Sequence, residues 1–339
     1  LNDYVDLADD KTFNASLDLT WKISKFLRYN LRTGGNINTN ERKRWYGLEL
    51  YQGMNNQGYL AISNLDKSNY SVENLVMYNT KLGSWGNLDG TVGMTYEDYN
   101  FLNKNVVGTK FSVMEMRENG MHMAGSREYQ TPIQKDYQLL SYLGRVNINL
   151  FEKYLITASI RADGSSKFAK GHQWGFFPSV SAGWRISEEP FFKSIDVLKF
   201  VNQLKLRASY GVLGDDGDLN YDWAMGYTYP STSGNMANGD YNGYSPGYIF
   251  GGKFISAASP MALPNENITW FKSKTFDIGF DFEGWDGLLG VSFDYFNRLR
   301  TGRFARRTGA LPTVVGATAP RENLDSDRQF GMGIGADPP

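Results

Sequence analysis

From Tyr137 onward the chain is written in a two-residue rhythm. In YQLLSYLGRVNINL, Leu140, Tyr142, Val146, Ile148 and Leu150 alternate with Ser141, Arg145, Asn147 and Asn149. Successive side chains of a strand project to opposite faces, so such a segment has one apolar and one wet side. KYLITASIRAD repeats the pattern, with Tyr154, Ile156, Ala158 and Ile160 against Thr157, Ser159 and Arg161. WGFFPSVSAGWRI sets Trp174, Phe176, Pro178, Val180, Ala182, Trp184 and Ile186 against Ser179, Ser181, Gly183 and Arg185. QLKLRASYGV sets Leu204, Leu206, Ala208, Tyr210 and Val212 against Lys205, Arg207, Ser209 and Gly211. Phe276 to Phe282 and Leu289 to Tyr295 read as a hairpin, with Asp277, Asp281 and Asp294 on its other face. Pro178 cannot donate to a ladder and predicts a bulge or a break there.

Alternation alone does not say whether protein or lipid covers the apolar side, because a β-sandwich alternates too. Three features favour lipid. Several strands reach the roughly 9–11 residues that cross a bilayer at a steep tilt. Tyr154, Trp174, Trp184, Trp270 and Tyr295 fall near the ends of the apolar faces, where an aromatic belt sits. Short links at 83–87, 151–153 and 284–287 alternate with long ones at about 98–136, 162–172, 213–267 and 298–326, the asymmetry of outer-membrane barrels. The link 187–202 is the exception on the short side and suits a short helical turn. Arg145, Arg161, Arg185 and Arg207 all take the polar parity, which predicts that they face a lumen or a plug. The fold class expected is therefore all-β, an antiparallel transmembrane β-barrel. Residues 1–136 show fainter pairs, Val72 to Lys81 with Leu88 to Glu97, and Leu17, Leu19, Trp21 and Ile23 in alternation.

Composition closes other routes. A net charge of -1 with 35 basic and 36 acidic residues gives no field for nucleic acid. The chain has no cysteine, so disulfides, thiolate metal sites and Cys nucleophiles are out. No window approaches the ~18 apolar residues of a membrane helix, and LNDYVDLADDKTF lacks the sections of a signal peptide. A mature form or an internal piece of an exported protein is expected.

The wording itself carries a resemblance. SIRADGSSKFAKGHQWGFFPSVSAGWRISEEPFF followed by LKLRASYGVLGDDG resembles the barrel core of SusC/RagA-type TonB-dependent transporters of Bacteroidetes. LPNENITWFKSKTFDIGFDFEGWDGLLGVSFDYFNR and ALPTVVGATAPRENLDSDRQFGMGIG resemble later segments of the same barrel, in order and spacing. The likeness is well defined over residues 137–335 and weaker over 1–136. It implies part of one barrel domain, roughly a dozen strands of a barrel of about 22, embedded in outer-membrane lipid of a bacterium. It also implies import of oligosaccharides or peptides driven by TonB through a plug, with a SusD-like surface lipoprotein as partner. No cofactor is implied. Plug domain, TonB box and a preceding small sandwich domain are expected to lie outside these 339 residues, which end in GADPP without the terminal aromatic of a barrel's last strand. Two rival readings remain: a siderophore- or cobalamin-type TonB-dependent receptor, and a secreted carbohydrate-binding β-sandwich.

Candidate binding residues sit in the loop from Gly214 to Pro264, where Trp223, Tyr227, Tyr229, Tyr241, Tyr244 and Tyr248 offer flat faces among amides and hydroxyls, as sugar stacking or partner contact requires. The competing account is a loop packed on its own aromatics. GDDGD at 214–218 is oxygen-rich but lacks EF-hand spacing and reads as an acidic turn. His122 and His172 lie in loops without companion ligands or a triad, and Asp277, Asp281 and Asp294 read as ordinary wet-face acids rather than a glycosidase pair. GMGIG near the C-terminus lacks the strand-loop-helix context of a nucleotide loop. No enzyme is expected.

Overall fold

The computed structural model describes residues 3–130, 132–224, 226–228, 247–251, 253–256, 259–260, 263–309, 311–312 and 317–337. The strands are β1 (Tyr4–Lys22), β2 (Leu27–Tyr46), β3 (Tyr59–Lys81), β4 (Gly86–Phe111), β5 (Ala124–Tyr129), β6 (Ile133–Leu150), β7 (Tyr154–Ser165), β8 (Trp174–Arg185) and β9 (Val201–Asp215). After the short β10 (Tyr227–Thr228), β11 (Gly247–Phe250), β12 (Lys253–Ser256) and β13 (Ser259–Pro260) come β14 (Phe271–Gly284), β15 (Leu289–Arg306) and β16 (Arg321–Asp337). Twelve of them form one antiparallel sheet in the order β1-β2-β3-β4-β6-β7-β8-β9-β14-β15-β16, with β5 on the edge of β4. Consecutive long strands are spatial neighbours throughout, the meander of an up-and-down barrel wall.

Register puts all the apolar rows on one face. Tyr142, Ala162 and Phe176 are cross-strand partners, as are Ile148, Ile156 and Ala182, and Tyr295, Ile278 and Ala208. These side chains stay uncovered: Val180 is 49% exposed, Ile160 52% and Ile334 77%. A sandwich would have buried them under a second sheet, so that reading is set aside; a face this wide and bare needs lipid.

The connections sort as expected. One end has the short links 23–26, 82–85, 151–153, 186–200 and 285–288, and the other has 47–58, 112–132, 166–173, 216–270 and 307–320. Phe151 and Glu152 both adopt left-handed φ, 54° and 59°, the conformation that tight hairpin turns demand. The 186–200 link does hold a helical turn, α1 (Pro190–Lys193). Main-chain bonds stitch adjacent turns, Arg185 N to Lys153 O and Trp285 N to Phe200 O among them. Pro178 lies where the β8 ladder to β9 stops: pairing runs from Arg185↔Lys205 to Ser179↔Gly211 and goes no further, while the β7 side continues to Trp174.

Several boundaries differ from the sequence expectation. β3 and β4 run for 23 and 26 residues, about 76 and 86 Å at roughly 3.3 Å per residue. Even at a 45° tilt that is about twice the ~25 Å apolar band of such barrels. Their outer ends therefore stand clear of lipid, and the outward positions turn polar there: Lys11 on β1, Asp66 on β3, Asp98 and Asn100 on β4. Further out, Trp45, Leu60, Phe111 and Ala124 form a small buried cluster with Met114 and Met121, closed by the 112–123 loop.

Candidate functional site

The polar face carries the chemistry, and its charges are mostly paired across strands. Arg145↔Ser159, Ser159↔Ser179 and Ser179↔Gly211 are register partners, and period-two spacing places Arg161, Arg185 and Arg207 on that face too. Arg207 Nη2 lies 3.0 Å from Asp281 and 2.8 Å from Asp294, and Lys205 lies 3.7 Å from Asp281. These two aspartates are thus counter-ions of one guanidinium, not an acid/base pair. Arg161 donates to Asp163 (2.6 Å) and to the fully buried Ser141 hydroxyl (3.0 Å). Arg145 donates to Asn147 at 3.1 Å, and Arg185 to the Glu152 carbonyl at 3.3 Å.

At the long-loop end, RADGSSKF folds into a docking knot. After the Asp163–Gly164 step the chain turns inward, and Lys167 Nζ, nearly buried, reaches Asp216 Oδ1 (3.1 Å) and the Gly217 carbonyl (3.0 Å). Ser165 donates to the other oxygen of Asp216 at 2.8 Å. The same ammonium sits 4.4 Å above the Tyr137 ring, which stacks on Tyr99 at 5.0 Å, a cation–π contact on top of an ion pair. Phe168, fully buried, packs on Trp270, which also meets Phe177 edge-on. The Phe177 ring lies so close over Gly214 that a Cβ there would come within 1.9 Å of it; only glycine permits this approach.

Three other segments lock onto the knot. Trp270 Nε1 donates to the Gln173 carbonyl and Thr269 Oγ1 to the His172 carbonyl, at 2.8 and 3.0 Å. Arg321 grips Asp222 through two bonds, 2.6 and 2.9 Å, and Asp218 through a third, 2.8 Å. Asn323 Nδ2 ties Thr269 to Gly302 by donating to both of their backbone carbonyls, at 2.7 Å each. In GDDGD, Asp215 accepts the Gly217 N–H, Asp216 holds Lys167 and Asp218 holds Arg321, so each carboxylate already has a partner in the chain.

Burial pulls the Asp222 carboxyl up, but the Arg321 guanidinium and the Asn220 backbone N–H outweigh it, and the net shift is down. A carboxyl whose folded pKa is depressed contributes stability above the ordinary carboxylate range, about 3.9, and loses it as pH falls through the folded value. Acidification from pH 6 toward pH 3 is therefore expected to loosen residues 216–222. Amide hydrogen exchange in this loop should accelerate below pH 4, after correction for the intrinsic rate, and Asp222→Asn should be fast already at pH 6.

The short-link end has its own fixture. Glu189 Oε1 accepts from Tyr154 Oη (2.6 Å) and Trp184 Nε1 (3.0 Å), and Oε2 pairs with Lys153 (3.1 Å). Those hydrogen bonds hold its carboxyl below the usual range, Tyr154 contributing most. The polar tips of two belt aromatics thus turn toward one buried acid outside the apolar band, as amphipathic rings at an interface do.

The loop aromatics are only partly placed. Trp223 packs edge-on to Tyr221 at 6.3 Å, and its indole N–H has no partner among the described residues. Tyr227 and Tyr248 lie on β10 and β11; Tyr229, Tyr241 and Tyr244 fall outside the described residues. Sequence reasoning missed two adjoining hollows on the polar face. One, of about 530 Å³, runs from Tyr137 and Arg161 to Trp270; the other, of about 570 Å³, runs from Asp218 to Arg300, Arg303 and Phe304. They share Leu213, Gly214 and Asp215. The available signals were Leu213 at a polar-parity position and Gly302 inside a strand.

An antiparallel wall with a bare apolar exterior, a charge-paired inner face and long loops at one end defines part of a membrane-spanning β-barrel. The family described as "TonB dependent receptor-like, beta-barrel" matches residues 2–331, and the chain belongs to it. It is 38% identical over 178 residues, 52% of its length, to the TonB-dependent receptor SusC of Bacteroides thetaiotaomicron. It is 26% identical over 341 residues, 98% of its length, to the TonB-dependent receptor P39 of Formosa agariphila. The chain spans 16% and 28% of those two relatives. In fold it resembles the RagAB peptide importer in its "closed-closed" state, with a TM-score of 0.82 at 17% identity over 100% of this chain and 35% of that one. The ferric citrate transporter FecA gives 0.55 at 11% identity over 96% of this chain and 39% of that one.

Proposed function

We propose that these residues form part of the barrel wall of an outer-membrane transporter that imports oligosaccharides or peptides, with energy passed from TonB to a plug carried elsewhere in the full-length protein. All 339 residues are assigned to that one barrel domain. The observation that carries the reading is the pairing of a lipid-compatible exterior, Val180 and Ile160 half exposed, with a polar inner face on which Arg207 is balanced by Asp281 and Asp294 from other strands. The similarity to SusC and the far better fold match to RagAB than to FecA favour a SusC/RagA-type transporter over a siderophore receptor, and support a SusD-like surface lipoprotein as partner. Arg145, exposed and held by a contact to Asn147, is assigned to the plug. Trp223 with the five tyrosines of the loop is assigned to substrate or lipoprotein contact. The chemistry is binding and gating; no catalytic step is assigned. The test is uptake by whole cells carrying the full-length gene. Labelled oligosaccharide or peptide should accumulate in a TonB-dependent manner and stop when the gene or TonB is deleted. Unchanged uptake in both deletions would overturn the reading.

A further inference from the structure

The link between β8 and β9, residues 186–200, is tied to the outer side of the wall at both ends. At its start Pro190 opens α1 from an extended Glu189, φ -74° and ψ 140°, because the residue before a proline avoids the helical region. The Glu189 side chain, 10% exposed, accepts from Tyr154 Oη and Trp184 Nε1 at 2.6 and 3.0 Å. Tyr154 and Trp184 are cross-strand partners in the outward, apolar row, so the acid they share lies on the outer side of the sheet. At the other end Phe200 stacks on Trp285 at 4.7 Å, and Trp285 meets Phe282 edge-on at 6.1 Å. Phe282 is again outward, paired with Leu204 and Val291. The link is thus a strap laid along the outside of the wall, not a loop beneath the lumen.

Its height follows from the aromatic belt. Trp174 and Trp184 stand ten residues apart on β8, about 33 Å of strand at roughly 3.3 Å per residue. At a 45° tilt that rises about 23 Å, close to the ~25 Å apolar band of such barrels. Trp184 therefore marks the edge of the band at the short-link end, and the strap begins two residues beyond it, at headgroup level.

The strap presents apolar side chains to its surroundings. Phe191, Ile195 and Val197 are 55, 45 and 80% exposed, while Phe192 between them is buried. Its cations are matched locally, Lys193 with Glu188 at 2.5 Å and Lys199 with Asp196 at 2.7 Å. Exposed apolar residues scattered singly are ordinary on a surface in water, whereas a contiguous group marks a contact. At the boundary between headgroups and acyl chains the same three side chains bury their apolar area in lipid.

We infer that the strap is a membrane anchor, covered by phospholipid of the leaflet at the short-link end, with Phe191, Ile195 and Val197 dipping into the acyl boundary. Lipid is the occupant because both attachments continue the surface that meets lipid, and because the local ion pairs leave little charge for a protein partner to read. The anchor depends on the barrel lying in a bilayer and is independent of what the barrel carries.

The test places single cysteines in the full-length protein, any others replaced by serine, through Phe191→Cys, Ile195→Cys and Val197→Cys. Val180→Cys is the lipid-wall reference and Lys11→Cys the aqueous one. Each is labelled with a nitroxide and reconstituted in phosphatidylcholine nanodiscs, and depth is read from collisions with oxygen against those with a water-soluble nickel chelate. The three strap labels are expected about 5–10 Å into the interface, shallower than the label at position 180. All three positions are exposed, and an unchanged heat-dependent gel shift confirms that each variant folds. Strap labels as open to nickel as the one at position 11, with position 180 immersed in lipid, would overturn the anchor and leave the barrel standing. Labels shielded from oxygen and nickel alike would mean that protein covers the strap and would equally overturn it. Nickel access at position 180 itself would remove the membrane-wall reading and the anchor together.

Discussion

Val180→Arg in the full-length protein is expected to block membrane assembly, while Ser181→Arg, one residue on, is expected to be accepted. Val180 points out of the apolar face, 49% exposed, midway between the belt residues Trp174 and Trp184. A guanidinium on the lipid face near the bilayer midplane costs about 2–4 kcal/mol, roughly a 30- to 1,000-fold shift against the inserted state. Ser181 is paired with Thr157 and Ser209 on the polar face, where an added arginine meets hydroxyls and water instead of acyl chains. The readout is the fraction of heat-modifiable, protease-resistant barrel in outer-membrane vesicles. Equal loss at both positions would mean that the bare face does not meet lipid.

The same contrast explains what the sequence made legible. Strands β6 to β9 and the β14–β15 hairpin could be read because inside the bilayer every outward position must be apolar, so Val, Ile, Phe and Trp alternate with Ser, Thr, Asp and Arg without interruption. β2 escaped notice because its outward residues, Tyr29, Leu31, Thr33 and Gly35, barely contrast with the inward Asn30, Arg32 and Gly34. The outer halves of β3 and β4 escaped for a different reason. Backbone pairing continues there, Asp66↔Leu102 and Ser68↔Asn100, but outside lipid neither face needs to be apolar, and the two-residue signal fades although the ladder does not.

For the site, parity was readable and partners were not. Arg207 could be placed on the wet face from its neighbours, yet its counter-ion Asp294 is 87 residues away, and the register that joins them depends on a strand, β14, lying between. Arg303 could not be placed at all, since its direction is set by the Gly302 bulge. RADGSSKF read as a turn with an arginine beside it; that its lysine reaches 49 residues on to Asp216 becomes visible only when the loops are packed.

That lysine makes the second large prediction. Lys167→Met is expected to destabilise the long-loop end by about 3 kcal/mol, because removing one partner of a buried ion pair leaves the other charge uncompensated. The side chains of Lys167 and Asp216 are only 11% and 19% exposed, so water screens little of the interaction. Asp216 would keep only the Ser165 hydroxyl, and the Tyr137 ring would lose its cation. The effect should be local, since the strands pair by backbone bonds that the mutation does not touch: faster hydrogen exchange and new chymotryptic cleavage around Phe168 and residues 214–222, with the barrel's gel shift intact. Asp216→Asn should be milder, as the Lys167 ammonium retains the Gly217 carbonyl at 3.0 Å and the Tyr137 ring at 4.4 Å. The double variant Lys167→Met with Asp216→Leu carries no unpaired charge and should recover much of the loss, as apolar replacement of buried pairs does elsewhere. A double-mutant cycle closed with the single variant Asp216→Leu should therefore give a coupling well above 1 kcal/mol. Additive losses would show that the knot is held by Phe168 and Trp270 alone, with the ion pair a bystander.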